Sequence, residues 1–298
     1  MKRRNRGLLF AFLASLIYGV TFTVAKEVMA IHIPSFALTL MRVSGAAVVF
    51  WIFSFFTKKE KIQKGDYRKF FIAALFGIAI NMMSFLKGLS YTSPISASVL
   101  MITAPIFVMV FSFLFLKNPI TKYKVAGVLL GMAGATVLIL YGKKSEFSGS
   151  NPALGNLLVV LNAISYAFYL ILAKPLLQKY NPITFAKWLY TFGLILILPF
   201  SISEFMQLKW EAIPMEIHFK IAFVVLFSTV FTYLFNLIAL KELKPTTMSV
   251  FIYLQPLIAS VFAMIMGADR LTPVKIIAAA LILIGVYLVN LSTAKKSN

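Results

Sequence analysis

Apolar residues in this chain come in long blocks separated by short polar or basic segments, not in alternation. Ten blocks cover approximately 8–26, 35–56, 69–91, 95–116, 123–141, 154–174, 183–202, 218–240, 246–266 and 273–292. Roughly twenty apolar residues span a bilayer as a helix, so each block predicts one transmembrane helix. The alternating ten-residue strands of a membrane β-barrel are absent. The pattern therefore predicts an all-α integral membrane protein with ten transmembrane helices. The first block follows "MKRRNR" and has the basic head and apolar core of a signal peptide. It runs on to Ala25 without an obvious cleavage box, and reads as the first transmembrane helix.

Composition agrees with the pattern. The 298 residues are 60% hydrophobic and 13% charged, too apolar for the surface of a soluble domain of this length. The net charge of +20 raises the possibility of nucleic acid, and its distribution argues against it. With the N-terminus inside, 20 Lys and Arg fall on the cytoplasmic side and 8 on the other, with Arg42 inside a helix. That asymmetry is the positive-inside signal. It predicts both termini in the cytoplasm, a multi-pass protein of the plasma (inner) membrane, contact with the lipid bilayer and no nucleic-acid partner. There are no cysteines, which removes disulfides, thiolate chemistry and cysteine-based metal sites. No cofactor is implied.

The chain also matches itself. At an offset of 148, Gly7 meets Gly155, Tyr18 meets Tyr166, Lys26 meets Lys174 and Pro34 meets Pro182. At 151, Lys69 meets Lys220, Pro94 meets Pro245, Ser98 meets Ser249, Pro105 meets Pro256, Lys124 meets Lys275 and Gly134 meets Gly285. Two units follow, 1–148 (helices 1–5) and 149–298 (helices 6–10). Five is odd, so the second unit enters the membrane upside down. Inverted repeats of this kind suit a carrier whose halves exchange roles between two access states.

Several stretches carry a more specific resemblance: "LIYGVTFTVAK", "LTLMRVSGAAVVF", "YTSPISASVLMITAPIFVMVFSFLFLKNPIT" with "GVLLGMAGATVLI", and in the second half "LKPTTMSVFIYLQPLIASVFAMIMGADRLT" with "LILIGVYLV". Together they resemble the EamA domains of the drug/metabolite transporter superfamily, over nearly the whole chain. One departure is that Asp269 precedes the second "RLT" turn, whereas the first repeat has Asn118. The resemblance implies helices 1, 3, 4, 6, 8 and 9 around a central cavity, with 5 and 10 peripheral. It also implies a small-molecule substrate.

Pro105 and Pro256 lie about ten residues into their helices, near the bilayer midplane at 1.5 Å per residue. Each removes a backbone donor and displaces the carbonyl four residues back, that of Met101 or Ile252. An unserved carbonyl in lipid must face protein or a wet cavity, so kinks at these prolines predict cavity-lining helices. Polar residues at membrane depth point inward, which nominates Tyr18, Asn81, Ser84, Thr103, Asn162, Tyr166, Tyr169, Tyr233, Asn236, Tyr253 and Gln255. For the Ser and Thr candidates a bond to their own helix competes with that role. This mostly neutral set suits a zwitterionic or uncharged solute.

Four cations are candidates as gates or membrane-end anchors: Lys26, Arg42, Lys87 and Lys174. For Arg42 three readings stand open: snorkelling outward, pairing with Glu27, or meeting a substrate carboxylate. No acid lies deep in a helix. This leaves uniport, exchange, or proton coupling through Glu27 or Glu242. Gly127, Gly131 and Gly134 share a face of helix 5, either as a dimer seam or for packing within a monomer. The expectation is a secondary transporter that exports or exchanges small metabolites by alternating access, amino acids first, with a multidrug or sugar-type carrier as alternative. A membrane-embedded enzyme would need a nucleophile with a base, a metal set or paired carboxylates, and no spacing offers one. The chain reads as not an enzyme.

Overall fold

The computed structural model describes residues 3–31, 33–92, 97, 100–140, 151–265 and 272–294. His32, Pro94, Ser98, Asp269 and the side chain of Lys26 lie outside the described residues. The described residues are helical, with no strand among them. The helices are α1 (Arg3–Ile31), α2 (Ser35–Phe55), α3 (Lys64–Tyr91), α4 (Ala104–Leu116), α5 (Lys122–Leu140), α6 (Pro152–Lys179), α7 (Pro182–Met206), α8 (Met215–Glu242), α9 (245–265) and α10 (Pro273–Ala294). Among the described residues, α2, α3, α6, α7, α8 and the Pro273–Leu291 part of α10 are long and apolar enough to cross a membrane. The chain is a multi-pass integral membrane protein.

The two halves interdigitate. α1 packs along α8 and α9, and α6 packs along α3 and α4; α2 lies on α7, and α5 on α10. Lipid tails are as apolar as leucine, so helices in a bilayer are held by close packing and small residues. Gly7 abuts Leu243 after α8, and its repeat mate Gly155 abuts Thr92 after α3. Gly127 and Gly285 lie against one another's helix backbones, and Gly131 lies under the Tyr253 ring. The small-residue face of α5 is therefore occupied within the chain, by α10 and α9.

Acids close the α2–α7 pair. Glu204, near the end of α7, accepts the Phe36 and Ala37 N–H groups at the start of α2 (2.9 and 3.3 Å). Glu60, in the loop after α2, accepts the Asn181 N–H just before α7 (2.9 Å). A helix start carries unpaired donors and partial positive charge, so a carboxylate from a neighbouring helix end or loop stabilises it. Two ion clusters involve the repeat mates Lys69 and Lys220. Asp66, buried in the first turn of α3, accepts from Lys69 (2.7 Å), Lys179 (2.9 Å) and the Tyr180 hydroxyl (2.9 Å). Lys220, near the start of α8, pairs with Glu27 at 2.7 Å and Glu216 at 2.5 Å.

The prolines differ from expectation in form. α4 does not bend at Pro105; the chain turns through Ile102 and Thr103, and the helix starts again at Ala104 with Pro105 in its first turn. There the missing N–H is one that no carbonyl needs. α9 is likewise in pieces: Pro245–Ser249, a 3-10 segment Val250–Tyr253, then Leu254–Ile265 with Pro256 near its start. Ser15 of α1 donates to the Phe251 carbonyl at 3.1 Å, serving one acceptor of the 3-10 segment.

Candidate functional site

Two further departures from regular helix stand at equivalent places. Leu75–Ala79 in α3 and Leu226–Phe231 in α8 are π-helical, and the 151 offset carries Leu75 onto Leu226. A π turn shifts the backbone bonding pattern and is frequent at functional sites. In α3 the carbonyls around it are served from other helices. Ser165 of α6 donates to Phe76 O (2.6 Å), Tyr233 of α8 to Gly77 O (3.1 Å), and Asn162 Nδ2 to Asn81 O (2.7 Å). Asn81 Nδ2 returns a bond to Asn162 O at 3.4 Å. In α8 the service is local: Thr229 donates to Val224 O and Thr232 to Phe227 O, both at 2.8 Å.

Beside these segments lies a cavity of about 120 Å³. This is of the order of an engineered apolar cavity of about 150 Å³ that holds benzene. α1 contributes Tyr18, Thr21 and Ala25; α2 contributes Arg42. α3 contributes Asn81, Met82, Phe85, Leu86 and Leu89, and Met101 stands at the break before α4. α6 gives Asn162, Tyr166, Tyr169 and Leu170; α8 gives Tyr233, Asn236 and Leu240; α9 gives Ile252 and Gln255. Both proline-broken helices reach the wall through the residues whose carbonyls the prolines cannot serve.

Of the polar residues nominated by the sequence, Tyr18, Asn81, Asn162, Tyr166, Tyr169, Tyr233, Asn236 and Gln255 lie in this wall. Three do not. Ser84 is buried away from it. Thr103 turns back to Leu100 O at 2.6 Å, the local bond that competes for any helical threonine. Tyr253 is fully buried against Gly131 of α5. Its position in the 3-10 segment rotates it off the face that carries Ile252 and Gln255.

The cations sort differently from expectation. Lys174 holds a helix end: its ammonium donates to Leu240 O, Lys241 O and Leu243 O at 2.7–2.9 Å, satisfying the free carbonyls at the end of α8. Lys87 lies over the Phe36 and Tyr91 rings, 5.2 and 5.1 Å from their centres, and outside the cavity. Glu27 is taken by Lys220. Arg42 neither snorkels nor pairs with Glu27. It is only 6% exposed, lines the cavity, and donates through Nε to Thr229 Oγ1 at 2.9 Å. The acceptor is the hydroxyl held by the π segment of α8. Sequence reasoning missed the π segments; the only local traces are Gly77 and the paired Thr229 and Thr232.

The profile of the EamA-like transporter family matches the chain twice, over residues 5–140 and 153–291, nearly its full length in two copies. The chain belongs to the EamA-like transporter family. This EamA-like transporter is 30% identical over 272 residues to an uncharacterized transporter of Archaeoglobus fulgidus, covering 91% of this chain and 94% of that one. It is 26% identical to the uncharacterized transporter YyaM of Bacillus subtilis (91% and 89% covered). It is also 28% identical to a WAT1-related protein of Arabidopsis thaliana (79% and 68% covered). A known crystal structure superposes with a TM-score of 0.78 at 17% identity, covering 99% of this chain and 100% of that one, which shows a shared fold. The family places this transporter's activity in the movement of solutes across a membrane.

Proposed function

We propose that this EamA-like transporter is a ten-span secondary carrier of the plasma (inner) membrane that exports or exchanges small metabolites, amino acids first. Its halves, 1–148 and 149–298, are inverted repeats that alternate access to one cavity, and both termini are cytoplasmic. The observation that carries this reading is the cavity itself. It lies between helices of both halves, at mirrored π segments and mirrored proline breaks, where carriers of this type place their substrate. Arg4 at the start of α1 bonds Asn290 near the end of α10, through its carbonyl (2.7 Å) and side chain, which supports an even number of crossings. Hydroxyls, amides and tyrosine rings in the wall suit a small polar solute with some apolar body. The small-residue face of α5 is already covered, which supports a monomer as the working unit.

The test is uptake of a labelled amino-acid mixture into proteoliposomes, against protein-free vesicles. Saturable uptake above control is the expected result; none, from inserted and folded protein, removes the amino-acid reading. Since the chain has no cysteine, a single cysteine introduced near each terminus reports sidedness directly. Labelling of either one from outside intact cells contradicts the topology.

A further inference from the structure

We infer that Arg42 is the carboxylate-binding residue of the cavity, so the solute carried must present a carboxylate. This rests on the reading above, that the cavity is the transport site, and narrows the chemistry it accepts.

The argument begins with a cost. A charge inside a membrane protein is expensive and is retained where it is paired or used. Arg42 is buried, at 6% exposure. Its hydrogen-bond partner among the described residues is neutral, the Thr229 hydroxyl, and it engages Nε alone. No ion pair of Arg42 exists among the described residues, and no Asp or Glu lines the cavity. Among the described residues, the two terminal nitrogens of the guanidinium have no acceptor. A guanidinium is a planar fork of donors that fits the two oxygens of a carboxylate. Fixing Nε on Thr229 orients the plane and leaves the fork for a ligand. Among the described residues of the wall, Arg42 is the charged one and no acid stands beside it, so its open fork is the complement of a carboxylate and the wall disfavours cationic solutes.

The experiment uses the full-length protein in detergent and in proteoliposomes, with butanoate, butanamide and butylamine as probes of nearly equal size. In the thermal unfolding of purified protein, butanoate is expected to raise the midpoint saturably, while the amide and the amine leave it unchanged. In proteoliposomes the same order is expected for inhibition of labelled amino-acid uptake. Arg42→Gln abolishes the butanoate response. Arg42→Lys keeps the charge without the fork and weakens it about tenfold, the equivalent of roughly 1.4 kcal/mol. Equal effects of amide and carboxylate on wild-type protein overturn the proposal, even if the Gln variant does not fold. So does an unchanged butanoate response in a folded Arg42→Gln protein, or no butanoate response in wild type. Amino-acid uptake inhibited equally by amide and acid leaves the carrier reading standing and removes this one. A butanoate response through Arg42 with no amino-acid uptake does the reverse, pointing to other carboxylates.

Discussion

The π segments of α3 and α8 occupy the same place in the two repeats, yet the chemistry around them is different. In α3, carbonyl oxygens are served by side chains from α6 and α8, and Gly77 brings the backbone against the Tyr169 ring. In α8 the helix serves itself with two threonines, and one of them steadies Arg42. Arg42 has Tyr190 as its repeat mate. Tyr190 is fully buried, packed on Phe50 and Tyr233, at ring distances of 5.4 and 5.3 Å. The backbone device recurs in both halves. The charge does not, since a buried tyrosine stands where the first half has Arg42.

Exchanging residues between mates tests that difference most severely at Gly77 and Ser228. A Cβ at Gly77 would stand 2.3 Å from Tyr169 Cδ2, so Gly77→Ser must push that ring out of the cavity wall. A loss of transport of about tenfold or more, or roughly 1.4 kcal/mol in the barrier, is expected. Ser228 is buried with its hydroxyl unpartnered, so Ser228→Gly should carry solute nearly as wild type. Comparable rates for both variants would show that the asymmetry has no consequence.

Stability should separate the two ways of serving a π carbonyl. Ser165→Ala removes a donor to Phe76 O that joins α6 to α3 and should cost about 1–1.5 kcal/mol, since a contact between helices is lost. Thr232→Val removes a bond within one helix and should cost less, roughly 0.5–1 kcal/mol, because such local bonds add little to helix stability. Unfolding of the purified protein in a denaturing detergent series compares the two, and the reverse order would contradict the distinction.

The smallest effect belongs to the exposed one of the two ion clusters around the repeat mates Lys69 and Lys220. The Asp66 carboxylate is 3% exposed and has three donors. Asp66→Asn should lower the thermal midpoint clearly, because the cluster joins α3 to the end of α6. Glu216, 75% exposed, is screened by water and salt. Glu216→Gln should shift the midpoint hardly at all, and any shift should vanish in high salt. A salt-insensitive loss at Glu216 would place that pair among the structural contacts.

The all-helical membrane character and the doubled unit could be read from the chain because each rests on a long or repeated signal. A block of apolar residues spans a bilayer by length alone, and a repeat shows by matching. The wall of the cavity was partly readable for the same reason. Asn162, Tyr166 and Tyr169 share a helical face, and amides and phenols need partners that their own helix does not supply. Thr103 failed because its hydroxyl is satisfied by its own backbone; Ser84 is buried away from the wall. Tyr253 failed because a 3-10 segment changed its angle around the helix.

The sequence by itself determined that this is a membrane protein of two matching halves, each with an irregular helix near its proline, Pro105 or Pro256. Those properties follow from hydropathy, chain length and the covalent limits of proline, which act locally. Only the tertiary structure decided what each polar group meets. It gave Lys174 to the end of α8, Glu27 to Lys220 and Tyr253 to Gly131, and it left Arg42 facing a cavity with no counter-charge among the described residues. Partners brought from helices far away in the chain decide a buried charge's role, and no local pattern records which helix will arrive beside it.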